Sequence, residues 1–92
     1  MINEARIAEL GFKPWMHHDG SVIAWRSPGG ICLDRFRKRY VRASFATIHG
    51  DPSEDVDEAL ASMAAALRRE AYRLRASADA MLDAARFAEG DR

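Results

Sequence analysis

From Asp51 to Glu89 the chain contains no glycine and one proline, Pro52, and it is built mainly from Ala, Leu, Arg, Met and Glu, all good helix formers. The stretch opens with Asp51-Pro52-Ser53-Glu54. Asp51 can accept from free backbone N–H groups, Pro52 needs no donor at a first helical position, and Glu54 can reach back to complete a capping box. Asp55, Asp57 and Glu58 place negative charge at the positive end of the helix dipole, and Gly90 is a natural stop. The pattern predicts one long helix over residues 52–89.

Val56, Leu60, Met63, Leu67, Ala71, Leu74, Ala78, Met81 and Ala85 recur at steps of three and four, which makes one apolar stripe on that helix. Core packing is the first use of such a stripe, ahead of any cofactor. Length limits that use. The helix is about 55 Å long at ~1.5 Å per residue, whereas strands of five or six residues span only ~17–20 Å, so roughly half of the stripe overhangs its own domain. An overhanging stripe pairs with a copy of itself, docks on another protein, or folds back at a hidden break. Ala71, Ala78 and Ala85 permit close approach by another helix. Arg68, Arg75, Asp79 and Arg86 flank the stripe, where charges select partner and orientation in coiled coils. The leading expectation is a homodimer with Leu74, Ala78, Met81, Leu82 and Ala85 at its interface. Phe87 falls opposite the stripe on the helical wheel.

Upstream, Ile2, Ile7 and Leu10 at helical spacing before Gly11 predict a short helix over residues 2–10. Residues 12–48 then read as a four-stranded antiparallel meander. Phe12 to His17 is a strand confined to an edge by Pro14, and His18-Asp19-Gly20-Ser21 is a hairpin turn. Val22 to Arg26 is the second strand, Ser27-Pro28-Gly29-Gly30 the second turn, and Ile31 to Phe36 the third strand. Arg37-Lys38-Arg39 is the third turn. Tyr40 to Ile48 is the fourth strand, with Val41, Ala43 and Phe45 on one face and Arg42, Ser44 and Ala46 on the other. The fold class is α+β in a single domain, residues 1–92, with Trp15 and Trp25 as core anchors and the long helix packed on the sheet.

Ninety-two residues at 48% hydrophobic and 30% charged suit one soluble domain with a modest core. A formal net charge of zero excludes any global attraction to nucleic acid or membrane. The single cysteine, Cys32, fits a reducing compartment. No apolar run approaches a membrane span, and Met1 to Leu10 lacks the composition of a secretory signal. A cytoplasmic chain is expected, bacterial or, if phage-encoded, in the host cytoplasm. Twelve of the fourteen basic residues are Arg, a usage that points the same way.

The meander brings His17 and His18 to the end of the sheet that holds Arg37-Lys38-Arg39, and leaves His49 at the other end, which argues against a three-histidine metal site. With the long helix starting at the His49 end, its acidic first turns form one pole. Arg68, Arg69, Arg73 and Arg75 then run toward Arg35, Arg37, Lys38, Arg39 and Arg42 to form a basic pole. That pole, with Phe36 and Tyr40 interleaved, suits an acidic protein surface, where forked arginine hydrogen bonds are favoured. It also suits phosphates with bases stacked on the rings. As a solvated turn it needs neither. There is no Gly-rich phosphate loop, paired-cysteine motif or nucleophile elbow. No enzyme activity, metal or cofactor is expected.

In size and order of elements, one small α+β domain without catalytic motifs, the chain resembles small phage-encoded accessory proteins, including anti-CRISPR proteins. The resemblance implies a non-enzymatic protein that occupies a surface of a larger macromolecular machine, either a protein or a nucleoprotein complex, with Arg35, Arg37, Lys38, Arg39 and Arg42 as partner-binding residues. The alternative is a nucleic-acid-binding accessory protein that uses the same basic pole. Helix, sheet, helix is also the order of double-stranded-RNA-binding domains. That family carries lysines where this chain has Asp51, Glu54, Asp55, Asp57 and Glu58, so the match is set aside.

Overall fold

Two helices pack on one face of a five-stranded antiparallel sheet in the computed structural model, which describes residues 2–90. The elements run α1 (Glu4–Glu9), β1 (Lys13–Met16), β2 (Val22–Arg26), β3 (Cys32–Arg37), β4 (Tyr40–Phe45), β5 (Ile48–His49) and α2 (Val56–Ala88). The strands neighbour one another in chain order, as short connections require.

The sheet has five strands where four are expected, because the stretch read as one strand from Tyr40 to Ile48 folds back on itself. Ala46 takes a left-handed backbone, φ +52°, and Phe45 pairs with Ile48 across the turn. A non-glycine residue in that region carries no turn signal in the sequence. The first helix is also shorter than residues 2–10. Asn3 Oδ1 accepts from Arg6 N at 3.1 Å and sets its start.

The start of α2 differs as well. Ser53 does not enter the helix. Its N–H and C=O exchange hydrogen bonds with Val41, at 2.9 and 2.8 Å, so residues 50–53 run extended beside β4. Asp55, not Asp51, is the cap, accepting from Asp57 N at 2.8 Å and Glu58 N at 3.3 Å. From Val56 the helix continues unbroken for 33 residues, so the fold-back alternative is overturned.

One cluster forms the core: Ile2, Ile7, Phe12, Trp25, Leu33, Val41, Ala43, Val56, Ala59 and Met63, with Leu60 and Leu67 packed at its edge. Trp25, Leu33 and Ala43 stand opposite one another across β2, β3 and β4, which defines the covered face. Gly50 lets α2 close onto the sheet. A Cβ there would lie 2.5 Å from Met63 N and 2.8 Å from Met63 Cα. Trp15 is not a core anchor. It sits on the open face, 50% exposed, with the Arg26 guanidinium 4.0 Å above its ring. Phe45, expected to pack with Val41 and Ala43, is on their side of the sheet but 40% exposed at its end.

The last buried residue of α2 is Met63, and the helix runs on for 25 residues. At ~1.5 Å per residue α2 is about 50 Å long, against ~20 Å for a six-residue strand. The molecule therefore measures 62 × 26 × 21 Å.

Candidate functional site

The distal half of α2 lies beyond the cover of its own sheet. Leu74 is 54% exposed, Met81 68% and Leu82 57%, and Ala78 and Ala85 are exposed. All five are the residues the sequence assigns to self-association. At 100° per residue, Leu74 and Met81 continue the line of Val56, Met63 and Leu67, so the face that carries the sheet in the first half of the helix is bare in the second. The charges around it are mostly local. Arg73 pairs with Glu70 and Arg86 with Asp83, each within one turn. Arg68, Arg75 and Asp79 make no ion pair among the described residues.

The second candidate is the turn between β3 and β4. Its geometry corrects the expected charge distribution. Because Ser53 is bonded to Val41, α2 begins at this basic end of the sheet and not at the His49 end, and it carries Arg68, Arg69, Arg73 and Arg75 away from it. The acidic start of α2 thus partly neutralises the basic turn. Arg39 Nε lies 2.7 Å from Glu54 Oε1, and Arg35 Nη2 is 2.8 Å from Glu4 Oε1 of α1. Arg35 also lies over the Trp25 ring, 5.1 Å from its centroid. Of the five residues assigned to partner contact, Arg37, Lys38 and Arg42 have no acidic partner among the described residues.

Arg37 and Arg42 share one ring instead. Their guanidinium carbons lie 5.6 and 5.3 Å from the centroid of Phe36, and Arg42 Nε is buried without a hydrogen bond. Phe36, Arg37, Tyr40 and Pro52 line a shallow depression beside this stack. The arginines were legible in the sequence as charges. Their separation into paired and unpaired groups was not, because Glu4 and Glu54 arrive from other elements.

Burial, and then the hydrogen bond from Cys32 Sγ to Asp34 Oδ1 at 3.3 Å, push the Cys32 thiol up, the reverse of an activated nucleophile. His17 and His18 leave β1 and lie ring to ring, 3.9 Å between centroids. Among the described residues no group of three or more His, Cys, Asp or Glu is placed to hold a metal ion, and no helix is long and apolar enough to cross a membrane.

Arg6 links the two helices with a forked contact, Nη2 2.9 Å and Nε 3.1 Å from the two Asp57 carboxylate oxygens. That fork, first through its hydrogen bonds, holds Asp57 below the usual carboxylate range. It ties α1 to the first turn of α2 and is structural. Compared with family models, with curated proteins and with solved structures, the chain matches none.

Proposed function

We propose that this is a non-enzymatic binding protein that assembles as a homodimer through the distal half of α2 and covers a surface of a larger macromolecular partner. A phage-borne, anti-CRISPR-like inhibitor of host defence is the most specific form of that reading. The observation that carries it is the bare apolar face of α2. Leu74, Met81 and Leu82 lie along a helix that the sheet no longer accompanies, and a contiguous exposed apolar face of this kind marks an interaction site. On this reading Arg37, Lys38 and Arg42 make the electrostatic contact with an acidic protein surface, while Arg35 and Arg39 hold the turn in place through Glu4 and Glu54.

A second reading, contact with nucleic acid, draws on the Phe36 ring flanked by two guanidiniums, an arrangement on which bases stack. Salt separates the two. Phosphate contacts make affinity for generic single strands fall steeply with ionic strength, whereas a protein blocker ignores free nucleic acid at any salt.

The deciding experiment is solution mass by light scattering on the full chain and on a chain truncated after Ser77. Every core residue precedes that point, so the truncated chain keeps its fold. A dimer that becomes a monomer on truncation supports the assembly. A full-length monomer removes it.

A further inference from the structure

We infer that two copies of α2 pair antiparallel about a two-fold axis between Ala78 and Met81, with the alanines of each helix seated against the leucine and methionine side chains of the other. This inference rests on the assembly proposed above and adds its geometry. The stripe carries two columns, each with a spacing of seven, covered by the sheet in the first half of α2 and bare in the second. Leu60, Leu67, Leu74, Met81 and Ala88 form one, and Ala64, Ala71, Ala78 and Ala85 form the other. A strict seven-residue period keeps one seam facing a partner helix along its whole length.

Orientation follows from what already occupies that face. The sheet covers the stripe as far as Met63 and Leu67, and Leu74 and Met81 lie on the same line. A parallel partner on the bare half would bring its own sheet into the volume that this sheet fills. An antiparallel partner runs into open space beyond the sheet and sets its sheet past the far tip of α2.

Register follows from the same limits. The bare stripe extends from Ala71 to Ala88, and its midpoint falls between Asp79 and Ala80. Centring the two-fold there places Ala71 beside Ala88 of the second copy, Leu74 beside Ala85, and Ala78 beside Met81, with the same contacts repeated in reverse. Small meets large in the four central layers. No large side chain faces another.

Two further groups gain partners in this register. Phe45, exposed on the α2 side at the sheet's end, lies where the tip of the second helix arrives. Arg68, without an ion pair among the described residues, lies on the same edge of the pair as Glu89 of the second copy. Glu89 is a carboxylate at the negative end of its own helix dipole, where a cation is favoured.

The test is a spin-label distance in the full chain. Ala65 is exposed on the far side of α2, so Ala65→Cys in a Cys32→Ser background carries the label without touching the seam. The antiparallel register places the two labels about 44 Å apart along the helix axis at ~1.5 Å per residue. A parallel pair keeps them within about 20 Å, given helix axes 8–10 Å apart. Light scattering is recorded on the same sample. A dimer with labels near 44 Å is the expected result. A dimer with the short distance overturns the antiparallel geometry and leaves the assembly standing, and a monomer at all concentrations overturns both.

Discussion

Gly50→Ala is a severe test of how α2 meets the sheet. Gly50 is buried, and its N–H bonds to Ala43 O at 2.9 Å, while the next N–H, of Asp51, bonds to Ser62 Oγ at 2.8 Å. The residue is thus held to β4 on one side and to α2 on the other. An added methyl meets Met63 N at 2.5 Å, Met63 Cα at 2.8 Å and Ser62 C at 3.0 Å, all backbone atoms that cannot swing aside. Relief requires α2 to lift by roughly 1 Å, which loosens Ala59 and Met63 against the sheet, and overpacking of this kind costs about 1–3 kcal/mol. One effect opposes it. Gly50 does not occupy the left-handed region, so alanine also restricts the unfolded chain and contributes about 0.4–1 kcal/mol of stability. The steric cost is larger, for a net loss of about 1–2 kcal/mol. With a urea slope of ~1 kcal/mol/M for a small domain, the unfolding midpoint falls by about 1–2 M. Gly29→Ala is the control. Its nearest neighbour is Ser27 Oγ at 3.8 Å, so only the unfolded-state effect operates and the midpoint holds or rises. A Gly50→Ala protein as stable as the parent would refute the close approach of β5 and α2.

Three other outcomes are expected. Leu74→Ala removes a side chain that is half exposed in one chain and buried in the proposed pair, worth about 1 kcal/mol per copy. Light scattering over a dilution series should then show association about thirtyfold weaker, since ~2 kcal/mol per dimer is that factor. Asp57 is held ionised by Arg6, so its contribution to stability is complete above the ordinary carboxylate pKa of ~3.9 and is lost as pH falls through its lower folded value. Titration followed by NMR should show Asp57 below that value in the parent and returned to it in Arg6→Gln. Iodide should quench the fluorescence of Trp15, on the open face, and spare Trp25, 3% exposed. Trp15→Phe should therefore leave an emission resistant to quenching, and unchanged quenching would place the exposed ring elsewhere.

Turns written in glycine were legible before the structure was. Asp19-Gly20 and Gly29-Gly30 sit between β1 and β2 and between β2 and β3 as expected, with positive φ at Gly20 and Gly30. The Ala46 turn was not, because its left-handed backbone is imposed by the pairing of Phe45 with Ile48 and by no local preference. The start of α2 was misplaced for a related reason. Asp51-Pro52-Ser53-Glu54 has the composition of a cap, but Asp55 can cap equally well, and the bonds between Ser53 and Val41 decide between them. That single pairing also decides which end of the sheet receives the acidic turns. A misread of four residues therefore inverted the expected charge map. The apolar stripe escaped such errors because its period persists over many turns, and no single contact can shift it.

The elongated outline affects how the molecule moves through a solvent. Its radius of gyration is 18.5 Å, against about 12 Å for a compact chain of this length. Friction depends on outline as well as mass, so a monomer of 10.3 kDa elutes from a sizing column ahead of globular standards of its own weight. An early peak from this protein therefore reports the projecting helix as much as any pairing, and the antiparallel pair, longer still, would elute as if larger than two chains.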